Sequence, residues 1–405
     1  MTFSKEIIKS LAEEALFPQE EFMSVGKNKK QLSIGLPCET TYKEHRIPLT
    51  PEAVKVLVSN GHKVYVETNA GIHINFQDKD YSDAGASIVY DTKEVFKKDM
   101  VIKITPPSKQ EISWMNPEST LMSALQYRSD LKVSIVELMK KKITAIGWDL
   151  IKDQEGIYPG IRAMSEIAGN TSILLASEIL SHHENGQGIM MGGISGVPPT
   201  EVVILGAGTV GEFACRASLG LGASVKIFDN SIYRLRRIQN DLGQRLYTSI
   251  LQPSELLKAL KTADIVIGAL RPVNGRTPVV VTSEMVSQMK FGSVIIDVSI
   301  DRGGCFETSE TTSHDKPTFQ KYGVIHYGVP NIASRVAKTA SMALSNIFQP
   351  ILLNMGDAGG CTNMIKINSG FRHSVYLFQG ALTNEIIASV FDLPYKNIDL
   401  LIATL

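Results

Sequence analysis

The sequence predicts an α/β protein of two domains, each a parallel sheet with helices on both faces. Three observations predict it. The chain has 405 residues, more than one ordinary core accommodates. From Gln31 onward, short β-branched runs alternate with helical patterns, which is how strand–helix–strand crossovers read. The apolar run Val202-Val203-Ile204-Leu205 leads into Gly206-Ala207-Gly208-Thr209-Val210-Gly211, a glycine-rich turn placed between a strand and a helix.

Composition narrows the class. Hydrophobic residues make up 43% and charged residues 20%, the balance of a soluble globular chain. Lys+Arg and Asp+Glu both number 41, so a zero net charge offers no electrostatic case for nucleic acid or an anionic membrane. Cys38, Cys215, Cys305 and Cys361 are scattered without a C-x-x-C, which argues against a zinc site or disulfide framework and fits a reducing compartment. No apolar run is long enough to span a bilayer. Lys5, Lys9, Glu13 and Glu14 break up the apolar residues a signal peptide would need. The chain therefore reads as cytoplasmic. No metal-ligand spacing occurs, and no metal is expected.

Residues 3 to 30 read as an amphipathic helix, with Ile7, Ile8, Leu11, Ala15 and Leu16 on one face, followed by a polar linker. This extension suits packing on the body or on a neighbouring subunit. Leu32 to Leu36 is a strand. Thr50-Pro51 opens a helix, with Thr50 as N-cap and Pro51 in the first position. Lys63 to Glu67 is a strand, Asp80 to Ala84 helical, and Met100 to Ile104 a strand ended by Pro106-Pro107. Leu121 to Leu125 is a strand, followed by a helix through Val133, Ile135, Val136 and Leu138, and Ile143 to Ile146 is another strand. A long helix is expected from about Met164 to His183, then a Gly/Pro-rich stretch from Gly188 to Pro199. Further strands are Ala263 to Ala269 and Ser293 to Val298. A small-residue-rich helix from Arg335 to Leu353 returns to the first domain. The expected division is 1–30 as extension, 31–160 and 336–405 as one discontinuous domain, and 161–335 as the domain inserted in it.

The inserted domain carries the clearest chemistry. About twenty residues after the glycine turn, a second strand, Val225-Lys226-Ile227-Phe228, ends in Asp229. Gly206 permits the tight turn, Gly208 lets the backbone approach a pyrophosphate, and Gly211 lets the helix pack on the strand. The helix N-terminus offers unpaired N–H groups to phosphate. Asp229 suits ribose hydroxyls and would repel a 2′-phosphate, so NAD is favoured over NADP as the cofactor. This is the pattern of a Rossmann NAD-binding domain.

Separated motifs point to one family. They are Tyr42-Lys43-Glu44-His45-Arg46-Ile47-Pro48, Met164-Ser165-Glu166-Ile167-Ala168-Gly169, Met191-Gly192-Gly193-Ile194-Ser195-Gly196, Ile300-Asp301-Arg302-Gly303-Gly304-Cys305-Phe306-Glu307 and Val329-Pro330-Asn331. In this order over roughly residues 31 to 360, the chain resembles the alanine dehydrogenase and transhydrogenase α-subunit family. The resemblance implies an active site in the cleft between the domains and a homo-oligomer, a hexamer or a dimer. It implies that Arg46 holds a substrate carboxylate, as a guanidinium fork can. It places Asp301 beside the nicotinamide, as a catalytic residue that also contacts the cofactor, and Asn331 in the same cleft. It makes Ser165 a pyrophosphate contact, against the alternative of a helix cap. It adds Arg234 beside the adenosine and Val298 at the strand end to the cofactor contacts Gly206, Gly208, Thr209, Val210, Gly211 and Asp229. Ordinary roles suffice for His182 and His183 at a helix end and for Cys305 as a small buried residue.

The pattern breaks at two positions. The family's lysine belongs to Lys-Val-Lys-Glu-Pro, where this chain has Lys103-Ile104-Thr105-Pro106-Pro107. The family's histidine follows a leucine at the next strand end, where this chain has Leu125-Gln126. Thr105 and Gln126 thus stand where a lysine and a histidine would handle protons. Lys103 is the candidate substitute, since positions i and i+2 of a strand face the same side; the alternative is a solvated strand-end lysine. Three functions compete: an NAD-dependent amino-acid dehydrogenase acting on a 2-amino acid and its 2-keto acid, with alanine and pyruvate as default substrates; a non-catalytic NAD-binding protein; and a transhydrogenase-type hydride-transfer subunit.

Overall fold

The computed structural model describes residues 29–40, 43–125, 131–182, 186–271 and 276–403. Apart from its last two residues, the expected N-terminal extension lies outside them, as do Gln126 and His183. The first sheet holds β1 (Ser33–Leu36), β2 (Lys63–Glu67), β3 (Ser87–Val89), β4 (Met100–Ile102), β5 (Thr120–Ser123) and β6 (Thr144–Gly147). The second holds β7 (Glu201–Leu205), β8 (Ser224–Phe228), β9 (Tyr247–Ser249), β10 (Ile265–Gly268), β11 (Val294–Asp297), β12 (Thr318–Lys321) and β13 (Val324–Tyr327). The chain then returns to the first sheet with β14 (Val375–Phe378) and β15 (Ala381–Leu382). The second sheet is thus inserted within the first, as the sequence predicts.

The strand orders are β15-β14-β6-β5-β4-β1-β2-β3 and β12-β13-β11-β10-β7-β8-β9. Strands β1 to β6 pair in parallel, as do β7 to β11 and β13. Strands β12, β14 and β15 are antiparallel additions. Both parallel cores therefore run 3-2-1-4-5-6, and each reverses once, between β1 and β4 and between β7 and β10. In open α/β sheets the crevice beyond the strand carboxyl ends at such a reversal takes the ligand.

Both faces of each sheet are buried, which is why the strands read as near-continuous apolar runs. Leu121 of β5 belongs to a core with Ile135 and Leu138, while its neighbour Met122 belongs to one with Phe348 and Leu352. In β7, Ile204 packs with Ala214 and Ile227, whereas Val203 and Leu205 pack with Leu256 and Leu260. Helix Ala337–Asp357 places Leu344, Phe348, Leu352 and Met355 on one stripe against the first sheet, so it returns to the first domain as expected.

One helix starts where the sequence reading puts it, and one starts earlier. Thr50 is the N-cap of Pro51–Ser59, but its side chain makes no capping bond and instead meets Ser345 Oγ at 3.2 Å. The long helix runs Pro159–Ser181, beginning at Pro159 rather than near Met164. Proline suits that first position because its missing N–H would be unpaired there anyway.

Candidate active site

The glycine turn connects β7 to helix Thr209–Gly220, with Gly208 as N-cap and Thr209 and Val210 as the first helical residues. Gly206 has φ +112°, a conformation that glycine adopts without the Cβ penalty. A Cβ on Gly211 would collide with Gly206 O and press on Ile204, so glycine sets the helix–strand approach. A Cβ on Gly208 would meet nothing within 4 Å, so open space borders the backbone where a phosphate would lie. Asp229 supports the turn from β8, its Oδ2 accepting the Ala207 N–H at 2.8 Å and its Oδ1 the Ser231 N–H at 2.7 Å. Arg234 lies 3.7 Å from Asp229, on the first turn of Ile232–Leu242. Ser165 is in the second turn of its helix and is no cap. Gly169, one turn on, lets that helix pack against Val210 and Phe213. Val298 directly follows β11 and opens the 3₁₀ helix Val298–Arg302 that carries Asp301.

The structure brings Arg46, Asn331 and Asp301 together. Arg46 is buried, donating Nε to Glu44 Oε1 at 2.7 Å and Nη2 to Glu44 Oε2 and Asn331 Oδ1, both at 2.6 Å. Asn331, at φ +63°, returns a bond from Nδ2 to Glu44 Oε2 at 2.5 Å. Arg46 Nη1 points to Met164 Sδ at 3.1 Å, leaving that nitrogen with donor capacity for a carboxylate. Burial pushes the Glu44 carboxyl up, but the charge and hydrogen bonds of Arg46 outweigh it and hold it below the usual range. Burial would lower Arg46, and Glu44 outweighs that too. Asp301 is reached by solvent, yet the protein packed around it raises its carboxyl. The Asn331 backbone N–H and the charges of Arg46 and Arg302 pull the other way.

Lys103 departs from both sequence alternatives. It is fully buried, beneath Phe96, with Nζ 2.6 Å from Glu111 Oε1 and 3.8 Å from Glu39 Oε2. It is therefore neither solvated nor at the cleft surface. Glu39 lies at the carboxyl end of β1, at the first sheet's reversal. It accepts the Ile104 N–H at 2.5 Å and the Thr105 hydroxyl. Burial raises its carboxyl, opposed by the Lys103 charge and the Thr105 hydroxyl. Gln126 lies outside the described residues. Cys305 is buried, and burial with the nearby Asp297 carboxylate raises its thiol.

Sequence reasoning missed Glu39, Glu44 and Asp149. Glu44 stands two residues before Arg46 in the same motif, a spacing that puts both on one side of an extended segment. Asp149 follows the apolar strand β6, and its Oδ1 accepts the Leu125 N–H at 2.9 Å. An acid directly after a buried parallel strand was the available signal.

Residues 35–168 match the N-terminal domain, and 172–385 the C-terminal domain, of the alanine dehydrogenase/PNT family. Alanine dehydrogenase 2 of Staphylococcus aureus (strain Mu50 / ATCC 700699) is 37% identical over 369 residues, 91% of this chain and 99% of that protein. A solved L-alanine dehydrogenase superposes with TM-score 0.84 at 35% identity, covering 89% of this chain and 99% of its own. A transhydrogenase from Sinorhizobium meliloti superposes with TM-score 0.73 at 23% identity, over 87% and 99%, a likeness of fold.

Proposed function

The chain belongs to the alanine dehydrogenase/PNT family, and on that premise we propose that it is an NAD-dependent amino-acid dehydrogenase. It converts a 2-amino acid and water to a 2-oxo acid and ammonium, with alanine and pyruvate as reference substrates. The observation that carries this reading is the Arg46–Glu44–Asn331 clamp beside Asp301. It joins a loop following the first sheet's β1 to loops of the second sheet, at the strand carboxyl ends.

Arg46 binds the substrate carboxylate, with Glu44 and Asn331 fixing the guanidinium plane so that little entropy is lost on binding. Asp301 orients the reacting carbon and its nitrogen. Gly206, Gly208, Thr209, Val210, Gly211 and Ser165 hold the NAD pyrophosphate, Asp229 and Arg234 border its adenosine, and Val298 borders its nicotinamide. Bound NAD supplies the hydride acceptor. Lys103 acts on the site through Glu39, by neutralising a carboxylate at the β1–β4 reversal. Residues 31–160 with 336–405 form the substrate domain and 161–335 the NAD domain. Assembly with further copies fits the exposed apolar side chains Met190, Ile194 and Val197 on one short loop.

One observation favours a second reading, a protein that binds NAD without turnover. Both side chains nearest the family's lysine position, Thr105 and Lys103, are occupied by buried carboxylates. NADH oxidation with ammonium and a panel of 2-oxo acids separates the two, run beside the double variant Thr105→Lys/Gln126→His. Wild-type turnover supports the dehydrogenase. Tight NADH binding without turnover in the wild type supports the second reading.

A further inference from the structure

Strands β4, β5 and β6 lie side by side in parallel, so their carboxyl ends open on the same edge. The short 3₁₀ helix Trp148–Leu150 after β6 is fastened to both of its neighbours. Trp148 Nε1 donates to Ile104 O at 3.0 Å, at the end of β4. Asp149 Oδ1 accepts the Leu125 N–H at 2.9 Å, at the end of β5. Ile104 is the residue before Thr105, and Leu125 is the residue before Gln126. These anchors therefore hold one half-buried carboxylate over the two strand ends where this chain lacks its family's lysine and histidine.

We propose that Asp149 is the group that exchanges protons with the substrate, in place of that missing pair. The proposal rests on the amino-acid dehydrogenase reading. In the deaminating direction, hydride loss from the substrate carbon leaves an iminium. The oxygen of a water bonds to that carbon while the C=N electron pair moves onto nitrogen. The Asp149 oxygen not held by Leu125 accepts the proton that the water releases. It then returns that proton to nitrogen, the C–N bond breaks with its electron pair on the leaving ammonia, and Asp149 takes the remaining O–H proton as the C=O bond forms, passing it to the ammonia to give ammonium. Atoms and charge balance with NAD as the oxidant.

The surroundings suit a group that both takes and gives a proton. Asp149 faces Arg302 from the 3₁₀ helix after β11, Arg271 from the segment after β10, and Tyr376 from β14. That helix and that segment are tied together by Ser299 Oγ donating to Leu270 O at 2.9 Å. Among the described residues, no carboxylate lies within ion-pair distance of either guanidinium. Burial pushes the Asp149 carboxyl up to about 6, opposed by the Leu125 N–H and the two arginines. A general base works best with its pKa near the working pH.

The test is the pH profile of kcat/KM for 2-amino-acid oxidation in the wild type, Asp149→Asn and Asp149→Glu. Loss of a general acid–base group lowers kcat about 100-fold or more. The expected wild-type profile loses activity about tenfold per pH unit below about pH 6. Asp149→Asn loses both the rate and that limb while NADH affinity stays within about twofold, and Asp149→Glu restores part of each. An Asp149→Asn enzyme within about threefold of wild type, with the limb intact, overturns the proposal. Should the wild type turn over no substrate, the dehydrogenase reading falls by itself. Asp149 is then judged by calorimetry of pyruvate binding to the NADH complex in two buffers of different ionisation enthalpy. Proton exchange present in the wild type and absent in Asp149→Asn supports it; equal exchange in both, or no binding, overturns it.

Discussion

The substitution Asp149→Asn is expected to stabilise the fold. The carboxyl rises from 3.8 to about 6 on folding, chiefly because burial disfavours its charged form. The folded protein therefore holds this proton more tightly than the unfolded chain does. Ionisation costs stability at every pH above about 6, and the cost fades as pH falls toward 3.8, where both states are protonated. At about 1.36 kcal/mol per pKa unit, the cost at neutral pH is about 3 kcal/mol. Asparagine removes it while keeping the oxygen that accepts the Leu125 N–H. Urea unfolding of both proteins at one concentration, at about pH 4 and about pH 7.5, reads the difference. The variant gains about 3 kcal/mol at the higher pH and close to nothing at the lower. A variant less stable than wild type at the higher pH refutes the reasoning, as does a gain of equal size at both. The first result would mean that Arg271 and Arg302 more than compensate the buried charge, and the second that the gain does not come from ionisation.

Three further outcomes follow from the site. Gly211→Val drives a side chain into Gly206 O and lowers NADH affinity more than tenfold by fluorescence titration, while Gly220→Ala, with open space around its Cβ, leaves it unchanged. Asp229→Ser removes the acceptor shared by the Ala207 and Ser231 N–H groups and the negative charge beside the ribose. NADH affinity falls about tenfold and the preference for NADH over NADPH narrows in steady-state assays, because a neutral residue no longer repels a 2′-phosphate. Glu44→Gln leaves buried Arg46 without its counter-charge and costs about 3–5 kcal/mol in denaturant titration, with a raised KM for the 2-oxo acid. An unchanged KM would separate Arg46 from the substrate carboxylate.

The legible parts of the sequence were those that local chemistry dictates. The β7–turn–helix–β8 unit could be read because its glycines, apolar strands and terminal acid all fall within one short segment. Strands β1, β2, β4, β5 and β6 were visible as apolar runs because parallel strands are buried on both faces. Three strands of the second sheet were harder. Strands β9 and β12 are short edge strands with half-exposed polar residues, and β13 carries a buried histidine, His326, held by Thr308 Oγ1 at 2.8 Å. Short length and polar residues weaken the signal in their own windows. The charged groups of the site were legible only in part for a related reason. Lys103 looks like a solvated strand end until the fold sets Glu111 and Glu39 around it. Asp149 gains meaning only when β4, β5 and β6 stand side by side.

The central claim is that this scaffold still carries out its family's reaction without the lysine and histidine. The most direct measurement is the rate of NADH oxidation with ammonium and pyruvate, and with other 2-oxo acids, by the purified protein. The account predicts turnover that depends on ammonium and on one 2-oxo acid of the panel, and that is lost in Arg46→Ala. NADH bound tightly with no oxidation in the presence of any 2-oxo acid would contradict it, leaving a dinucleotide-binding protein that has given up the chemistry.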